Sequence, residues 1–308
     1  MVRIKRKVIQ IANSTQLISL PRKWSQKHGV KKGDEIDIEE EGDKLIISTD
    51  GEPDHKEITI DADKWNFFLP RVIHALYKKG IDEIRINFSN PELLRVVQKS
   101  LGKETVGFEL LDQGKDYCII KNVSGDLEDF DSVLRRTFLV LLQMAQESYE
   151  AVKNGNYSHL TNVAFLEESN NRFTTTCRRL LNKKGYNNYQ QVGPMYYIIE
   201  ELEKIADHYK YMCKDISNMD PKKNKVSKEM LGMFNIVSRS LQLFYEVFYK
   251  FDENKVVEIA GNRKNVVDKK LHLLKNKNSA IDFTILHHQT AIMEGIFCLT
   301  GPFLVLVL

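Results

Sequence analysis

The residues of this sequence that are best suited to binding chemistry are cations near the amino terminus. Nine lysines and arginines occur before residue 33, with no acidic residue among them. From Asp34 the sign reverses, and seven acidic residues follow by residue 43 without a cation between them. The net charge of +3 for the whole chain therefore conceals a strongly basic segment. Such a segment is typical of a surface that binds a polyanion.

A second candidate site consists of carboxylates in the later part of the chain. Glu203 and Asp207 are four residues apart, so a helix would place both on one face, which suits a cation that prefers oxygen ligands. A plainer alternative stays open, because Glu200, Lys204 and Lys210 surround them and a solvated helix face would have the same pattern.

The sequence indicates no chemistry beyond binding. No nucleophile, base and orienting group can be assembled into one cluster, and no glycine-rich loop follows a predicted strand. The chain is therefore predicted not to be an enzyme. The cysteines lack the short spacing of a metal site, which predicts small buried hydrophobes in a reducing cytoplasm. They are Cys118, Cys177, Cys213 and Cys298.

The basic segment is predicted to fold as a hairpin, a short helix and a second hairpin. Alternating apolar residues flank turn-prone positions at 12–15 and 41–43, which indicates two hairpins. Pro21 opens a helix over residues 22–28, and Gly29 ends it. About fifty residues of this kind bury too little apolar surface to be stable alone, so we predict an obligate dimer.

After this segment the pattern predicts a small α/β unit and then long helices. Strands are expected over residues 57–60, 83–88, 106–111 and 117–121, with helices over 63–78 and 91–101. From residue 126, helical spacing of apolar residues predicts three helices, the third opened by Pro194. After a polar linker at 218–228, three more are predicted over 230–251, 255–275 and 280–299.

These patterns predict an α+β fold that is mostly α, in four domains. They are a β-hairpin domain at residues 1–50, a connecting α/β domain at 57–125, and two tandem three-helix bundles at 126–217 and 228–308. Residues 295–308 are strongly apolar but too short to span a bilayer, so no integral membrane span is expected. We predict that this tail ends a buried helix and packs in a bundle or dimer contact, with membrane association as the alternative.

The basic segment resembles the AbrB/MazE/SpoVT swapped-hairpin domain. The resemblance lies in STQLISLPRKW and in GVKKGDEIDI, where turn, proline, glycine and Gly-Asp fall at matching spacing. It implies that two chains interleave their hairpins and present a basic surface to double-stranded DNA. The alternative is that the cations are solvated residues of a dimerisation module. By position, the residues nearest the phosphates would be Arg3, Lys5, Arg6, Lys7, Arg22, Lys23 and Lys27.

The helical part is similar to archaeal PhoU-family proteins, whose architecture is two tandem three-helix bundles. The likeness is sharpest at YYIIEELEKIADHYKYM, where Glu203, Asp207 and His208 match a family signature. It implies that Glu203 and Asp207 could help to hold a divalent metal or iron on the bundle surface. The sequence departs from the family at the expected partner ligands. Asn170 and Asn171 stand where an acid is expected, and the last helix has His287, His288 and Glu294 in place of an acidic motif.

Together the resemblances imply a dimeric, cytoplasmic transcriptional regulator of phosphate uptake. In this hypothesis the amino-terminal domain binds DNA, and the helices sense a phosphate-linked signal. A different hypothesis makes the chain an adaptor that docks on a phosphate transporter or sensor kinase and uses its first domain only to dimerise. A third makes it a metal-responsive regulator that uses Glu203 and Asp207.

Overall fold

The computed structural model describes residues 4–11, 15–41, 44–49, 55–124, 129–273 and 279–308. The chain divides into two compact units, Met1–His55 and Lys56–Leu308. About 65% of the structure is helical, with small strand hairpins at the amino terminus and several helices at the carboxyl terminus. The predicted fold class, α+β and mostly α, is confirmed.

The first unit has the predicted order of hairpin, helix and hairpin. Pro21 has a φ of −63° immediately before the helix, and Gly29 has a φ of +67° just after it, a conformation that glycine adopts without steric cost. The predicted turn positions 12–14 and 42–43, and the predicted linker positions 51–54, lie outside the described residues. The elements are β1 (Ile9–Ile11), β2 (Thr15–Leu17), α1 (Arg22–Lys27), β3 (Asp37–Glu41) and β4 (Lys44–Ser48).

The second unit begins with a four-stranded sheet covered by two helices. The strand order is β5-β6-β8-β7, with β5 parallel to β6 and the remaining pairs antiparallel. Apolar faces of both helices pack on this sheet around Ile84, Ile86 and Ile120. The elements are β5 (Glu57–Asp61), α2 (Leu69–Lys78), β6 (Glu83–Asn87), α3 (Glu92–Ser100), β7 (Phe108–Gln113) and β8 (Tyr117–Asn122).

Helix α2 begins later than the sequence predicts. The prediction of a helix from residue 63 is wrong, because two short 3₁₀ turns at Ala62–Lys64 and Asn66–Phe68 precede it. Asn66 has a φ of +45°, which no α-helix accommodates. Pro70 then lies in the first turn of α2, where its missing N–H breaks no hydrogen bond.

Among the described residues, six long helices follow this sheet in the second unit. Helices α4, α5 and α6 pack on one another, as do α7, α8 and α9, and the two sets share one continuous apolar core. The most extensive contact joins α6 to α9. The helices are α4 (Phe130–Asn154), α5 (Leu160–Lys184), α6 (Tyr189–Ser217), α7 (Lys228–Tyr249), α8 (Glu253–Leu273) and α9 (Ala280–Val307).

Two predicted helix ends are wrong. Helix α6 starts five residues before Pro194, because the Asn188 side chain accepts a hydrogen bond from the Gln191 N–H and caps the helix there. Helix α9 continues through Gly301 and Pro302 to Val307. By length and composition alone, α9 could cross a bilayer. In the fold, however, much of it is buried in the shared core.

Candidate nucleic-acid interface

The predicted DNA-binding cations lie on the surface of the first unit. Lys5, Arg6 and Lys7 precede β1 and are exposed. Helix α1 buries none of its residues fully: Trp24 and Ser25 are half-buried, whereas Arg22, Lys23 and Lys27 are exposed. The Trp24 ring packs on His28 with centroids 4.9 Å apart. Arg3 lies outside the described residues.

The charge of five of these cations, at positions 5, 6, 7, 22 and 23, is not neutralised within the part of the unit that the structure describes. Among the described side chains, no carboxylate lies within ion-pair distance of Lys5, Arg6, Lys7, Arg22 or Lys23. The first acid of the following segment, Asp34, instead accepts a 2.7 Å hydrogen bond from the backbone N–H of Lys31. Uncompensated cations of this density create a positive potential that attracts a polyanion.

Many apolar residues of the same unit are exposed to solvent. The register of the first hairpin sets Ile9 opposite Leu17, on the same face as Ile11, and all three are exposed. In the second hairpin, Ile38 and Leu45 are 59% and 61% exposed. No described residue of this unit is buried. Such a chain segment needs a partner surface to cover its apolar faces.

Most of this unit matches a known protein family. Residues 9–57 match the MazE antitoxin family. The family is described as antidote-toxin recognition MazE, bacterial antitoxin. The match confirms the AbrB/MazE part of the predicted resemblance, and domains of this type bind DNA and dimerise. No curated protein and no solved structure matches the chain.

The MazE-like segment is a small part of the chain. The candidate metal carboxylates, Glu203 and Asp207, come much later in the sequence, on α6. Glu203 is paired with Arg178 and accepts a 2.7 Å hydrogen bond from Thr174 Oγ1. Asp207 pairs with Lys210 at 2.5 Å, and the same ammonium lies 2.6 Å from Glu167. The structure therefore places Glu203 and Asp207 in two separate ion pairs.

These ion pairs fit a bound metal poorly. Burial alone lowers the pKa of Lys210, but hydrogen bonds to Asp207 and Glu167 outweigh it and raise that pKa above its ordinary value. Lys210 is therefore a permanent cation between the two carboxylates. A divalent ion at this place would have to displace Lys210 and Arg178, at the cost of leaving buried charge unpaired.

Sequence reasoning named Lys210 as a neighbour of these carboxylates but missed the arginine on α5 that neutralises Glu203. Arg178 is almost fully buried, and its Nη1 lies 2.5 Å from Glu200. Asn171, where the family resemblance leads one to expect an acid, donates a 2.7 Å hydrogen bond to Glu167. The available signal was the pair Arg178-Arg179 within a run of small and apolar residues on α5, since arginines at core positions must have acidic or carbonyl partners.

Proposed function

We propose that the protein is a dimeric DNA-binding regulator. Two copies of the MazE-like unit interleave their hairpins, and the dimer presents the cations of residues 5–27 to the phosphates of a duplex. The observation that carries this proposal is that one unit of 55 residues has both exposed apolar hairpin faces and uncompensated cations at positions 5, 6, 7, 22 and 23. The apolar faces can be covered by another copy of the chain, and the cations can bind a polyanion.

The proposed interface acts mainly through the DNA backbone. Lysine and arginine contacts to phosphates fix position and supply affinity, but they carry no sequence information. Sequence preference must then come from a few side chains and from the shape of the duplex.

The proposal also gives the helices of the second unit a sensing role. By their resemblance to PhoU-family proteins, α4–α9 sense a phosphate-linked signal in the cytoplasm and couple it to DNA binding in the control of phosphate uptake. The arrangement of two three-helix sets around one core supports this likeness. The proposal assigns no catalytic role to the chain. Docking on a phosphate transporter or sensor kinase is the adaptor alternative, and it requires no DNA binding.

A second candidate function follows from the description of the matched family. An antitoxin-type regulator would bind DNA through the same MazE-like unit and a toxin protein through another surface. The two candidates share the DNA-binding step. They differ in whether a second, stoichiometric protein partner is required in the cell.

The shared step is tested by removing four cations at once. The variant Arg6→Ala, Lys7→Ala, Arg22→Ala, Lys23→Ala removes up to eight phosphate contacts from a dimer. We expect its affinity for a mixed-sequence duplex to fall at least about 100-fold at low salt. Fluorescence anisotropy of a labelled duplex measures the change.

The matched control removes the same charge from the second unit. Lys222, Lys223, Lys225 and Lys228 are all exposed, and replacing them with Ala gives an equal change in net charge. We expect this variant to bind the duplex as the unmodified chain does. Equal losses in both variants would mean that net charge alone attracts DNA. No binding by the unmodified chain would favour the adaptor alternative.

A further inference from the structure

Three aromatic side chains are exposed to solvent on the turn between β5 and α2. Phe67 is 88% exposed, Phe68 47% and Trp65 44%. They lie within residues 65–68, which we call the aromatic turn. Single exposed apolar residues are ordinary on protein surfaces, whereas neighbouring Trp and Phe residues are typical of a surface that contacts another protein.

The fold holds this turn in place at both ends. Ala62 before it and Leu69 after it are fully buried in the core of the sheet and its helices. Asp63 Oδ2 accepts a 2.8 Å hydrogen bond from the Ser89 N–H, just after β6. Between these anchors, Asn66 has a φ of +45°, which is strained for a residue other than glycine. Strain of this kind is concentrated at functional surfaces.

The charges along the aromatic turn are balanced. Residues 61–71 contain two acids and two cations, and Asp61 pairs with Lys64 at 3.5 Å. A surface with equal numbers of both signs does not attract a polyanion such as DNA or an anionic membrane. It can face a second copy of itself, because a two-fold axis can place acids of one copy near cations of the other.

The area of the aromatic turn restricts what can cover it. Since Phe and Trp side chains bury about 150–250 Å² each, their exposed fractions leave roughly 300–450 Å² of aromatic surface per copy. A free-standing interface usually needs about 800 Å² from each partner. The turn alone is too small to recruit a partner from solution. It is large enough for a second contact between chains that another interface already joins.

We propose that the aromatic turns of two copies pack on each other across the two-fold axis of the dimer. This inference rests on the proposed dimer of the MazE-like unit. Trp65 follows the last residue of the first unit by ten positions, and ten residues span at most about 35 Å. Two joined chains therefore keep their aromatic turns at an effective concentration on the order of millimolar, which favours a small contact between them.

Cross-linking between copies tests this contact. Lys64 is exposed at the start of the turn, so Lys64→Cys places a thiol there and keeps all three aromatic residues. A Cys298→Ser background removes the exposed native thiol. The control Lys99→Cys places a thiol at an exposed position on α3, which covers the same sheet. With a short bis-maleimide, we expect Lys64→Cys chains to join at least about 10-fold faster than the control chains, because the contact raises the local thiol concentration.

Adding Phe67→Ser to Lys64→Cys separates packing from tethering. Because Phe67 is 88% exposed, its replacement leaves the fold intact. We expect cross-linking to fall to the rate of the Lys99→Cys control, while the dimeric mass in sedimentation equilibrium and duplex binding stay unchanged. Cross-linking that persists at the faster rate in this variant would overturn the proposed packing.

Further outcomes separate this contact from the proposed function. A dimer that binds the duplex, but in which Lys64→Cys reacts no faster than Lys99→Cys, would overturn the contact and leave the proposed function intact. A monomeric chain would overturn both. Sedimentation of the unmodified chain with neutral phosphatidylcholine vesicles, abolished by Phe67→Ser, would assign the aromatic turn to a membrane and likewise overturn the contact.

Discussion

Replacing Asp82 with Ala is expected to lower the free energy of unfolding of the second unit by about 3–5 kcal/mol, the usual cost of breaking a buried ion pair. Arg179 is fully buried on α5, and its Nη2 lies 2.5 Å from Asp82 Oδ1. Its Nη1 donates to the carbonyl oxygens of Tyr77 at 2.9 Å and Ile81 at 2.7 Å. Without Asp82 this guanidinium would keep its charge in the interior without a carboxylate.

The ion pair of Arg179 and Asp82 also makes the stability of the second unit depend on pH. Burial raises the pKa of Asp82, but hydrogen bonds from Lys183 and the Lys56 N–H, with the charge of Arg179, outweigh it and bring that pKa below its ordinary value of 3.8. A carboxyl whose pKa is lower in the folded state stabilises the fold above pH 3.8. It loses that contribution as the pH falls further. In the Asp82→Ala variant, the free energy of unfolding should lack the contribution that is lost when Asp82 is protonated.

Urea unfolding followed by the helical circular-dichroism signal measures both effects. Asp116→Ala is the matched control, because Asp116 is an exposed acid at the turn between β7 and β8. We expect the control to stay within about 0.5 kcal/mol of the unmodified chain. A similarly small change for Asp82→Ala would show that Arg179 does not depend on its carboxylate.

The double variant Leu17→Asp, Ile38→Asp is expected to abolish dimerisation of the first unit and to unfold it. Both side chains are exposed on apolar hairpin faces. Burying a side chain of this size contributes about 1.5–3 kcal/mol, and a symmetric dimer loses each contribution twice. The combined loss, on the order of 6–12 kcal/mol, exceeds what a unit whose described residues are all at least partly exposed can withstand.

The two tryptophans of the chain allow this unit to be observed by itself. Trp24 lies in the first unit and Trp65 in the second, so a Trp65→Phe background leaves Trp24 as the fluorescent probe. In that background the denaturation midpoint of Trp24 emission should rise with protein concentration, because dimerisation stabilises the unit. In the double variant, Trp24 should emit as a solvated residue at all concentrations.

Val257→Asp is the control for the dimerisation test. Val257 is 70% exposed on α8 in the second unit, so the substitution introduces one aspartate, half the charge added by the double variant, at an exposed apolar position outside the hairpins. It should leave the Trp24 transition unchanged. The proposed dimer would be contradicted if, without the two hairpin substitutions, the denaturation midpoint of Trp24 emission did not depend on protein concentration.

Local signals explain the parts of the fold that the sequence predicts well. In the first unit, Pro21 and Gly29 bound α1, and alternation of apolar residues marks both hairpins, so each element depends on neighbours in the chain. The errors at helix ends also have local causes. Asn188 caps α6 five residues before Pro194. Helix α9 continues through Pro302 to Val307, with Phe303 packed in the core and Val305 exposed.

The candidate sites show the same distinction between local sequence signals and tertiary contacts. The exposed cations could be predicted because they are defined by charge and by position in the first fifty residues. The buried ion pairs could not. Arg179 and Asp82 are 97 residues apart, and Lys210 and Glu167 are 43 residues apart. Only the tertiary fold brings each pair into contact, and a single sequence does not specify which helix faces meet.

A salt titration of duplex binding tests the proposed interface most directly. The logarithm of the binding constant of the unmodified chain should fall linearly with the logarithm of salt concentration. Each phosphate contact adds about 0.9 to the slope. The variant lacking Arg6, Lys7, Arg22 and Lys23 should bind more weakly and with a slope shallower by several units. Equal slopes for the two proteins, or no binding by either at low salt, would contradict a DNA-binding role for this basic surface.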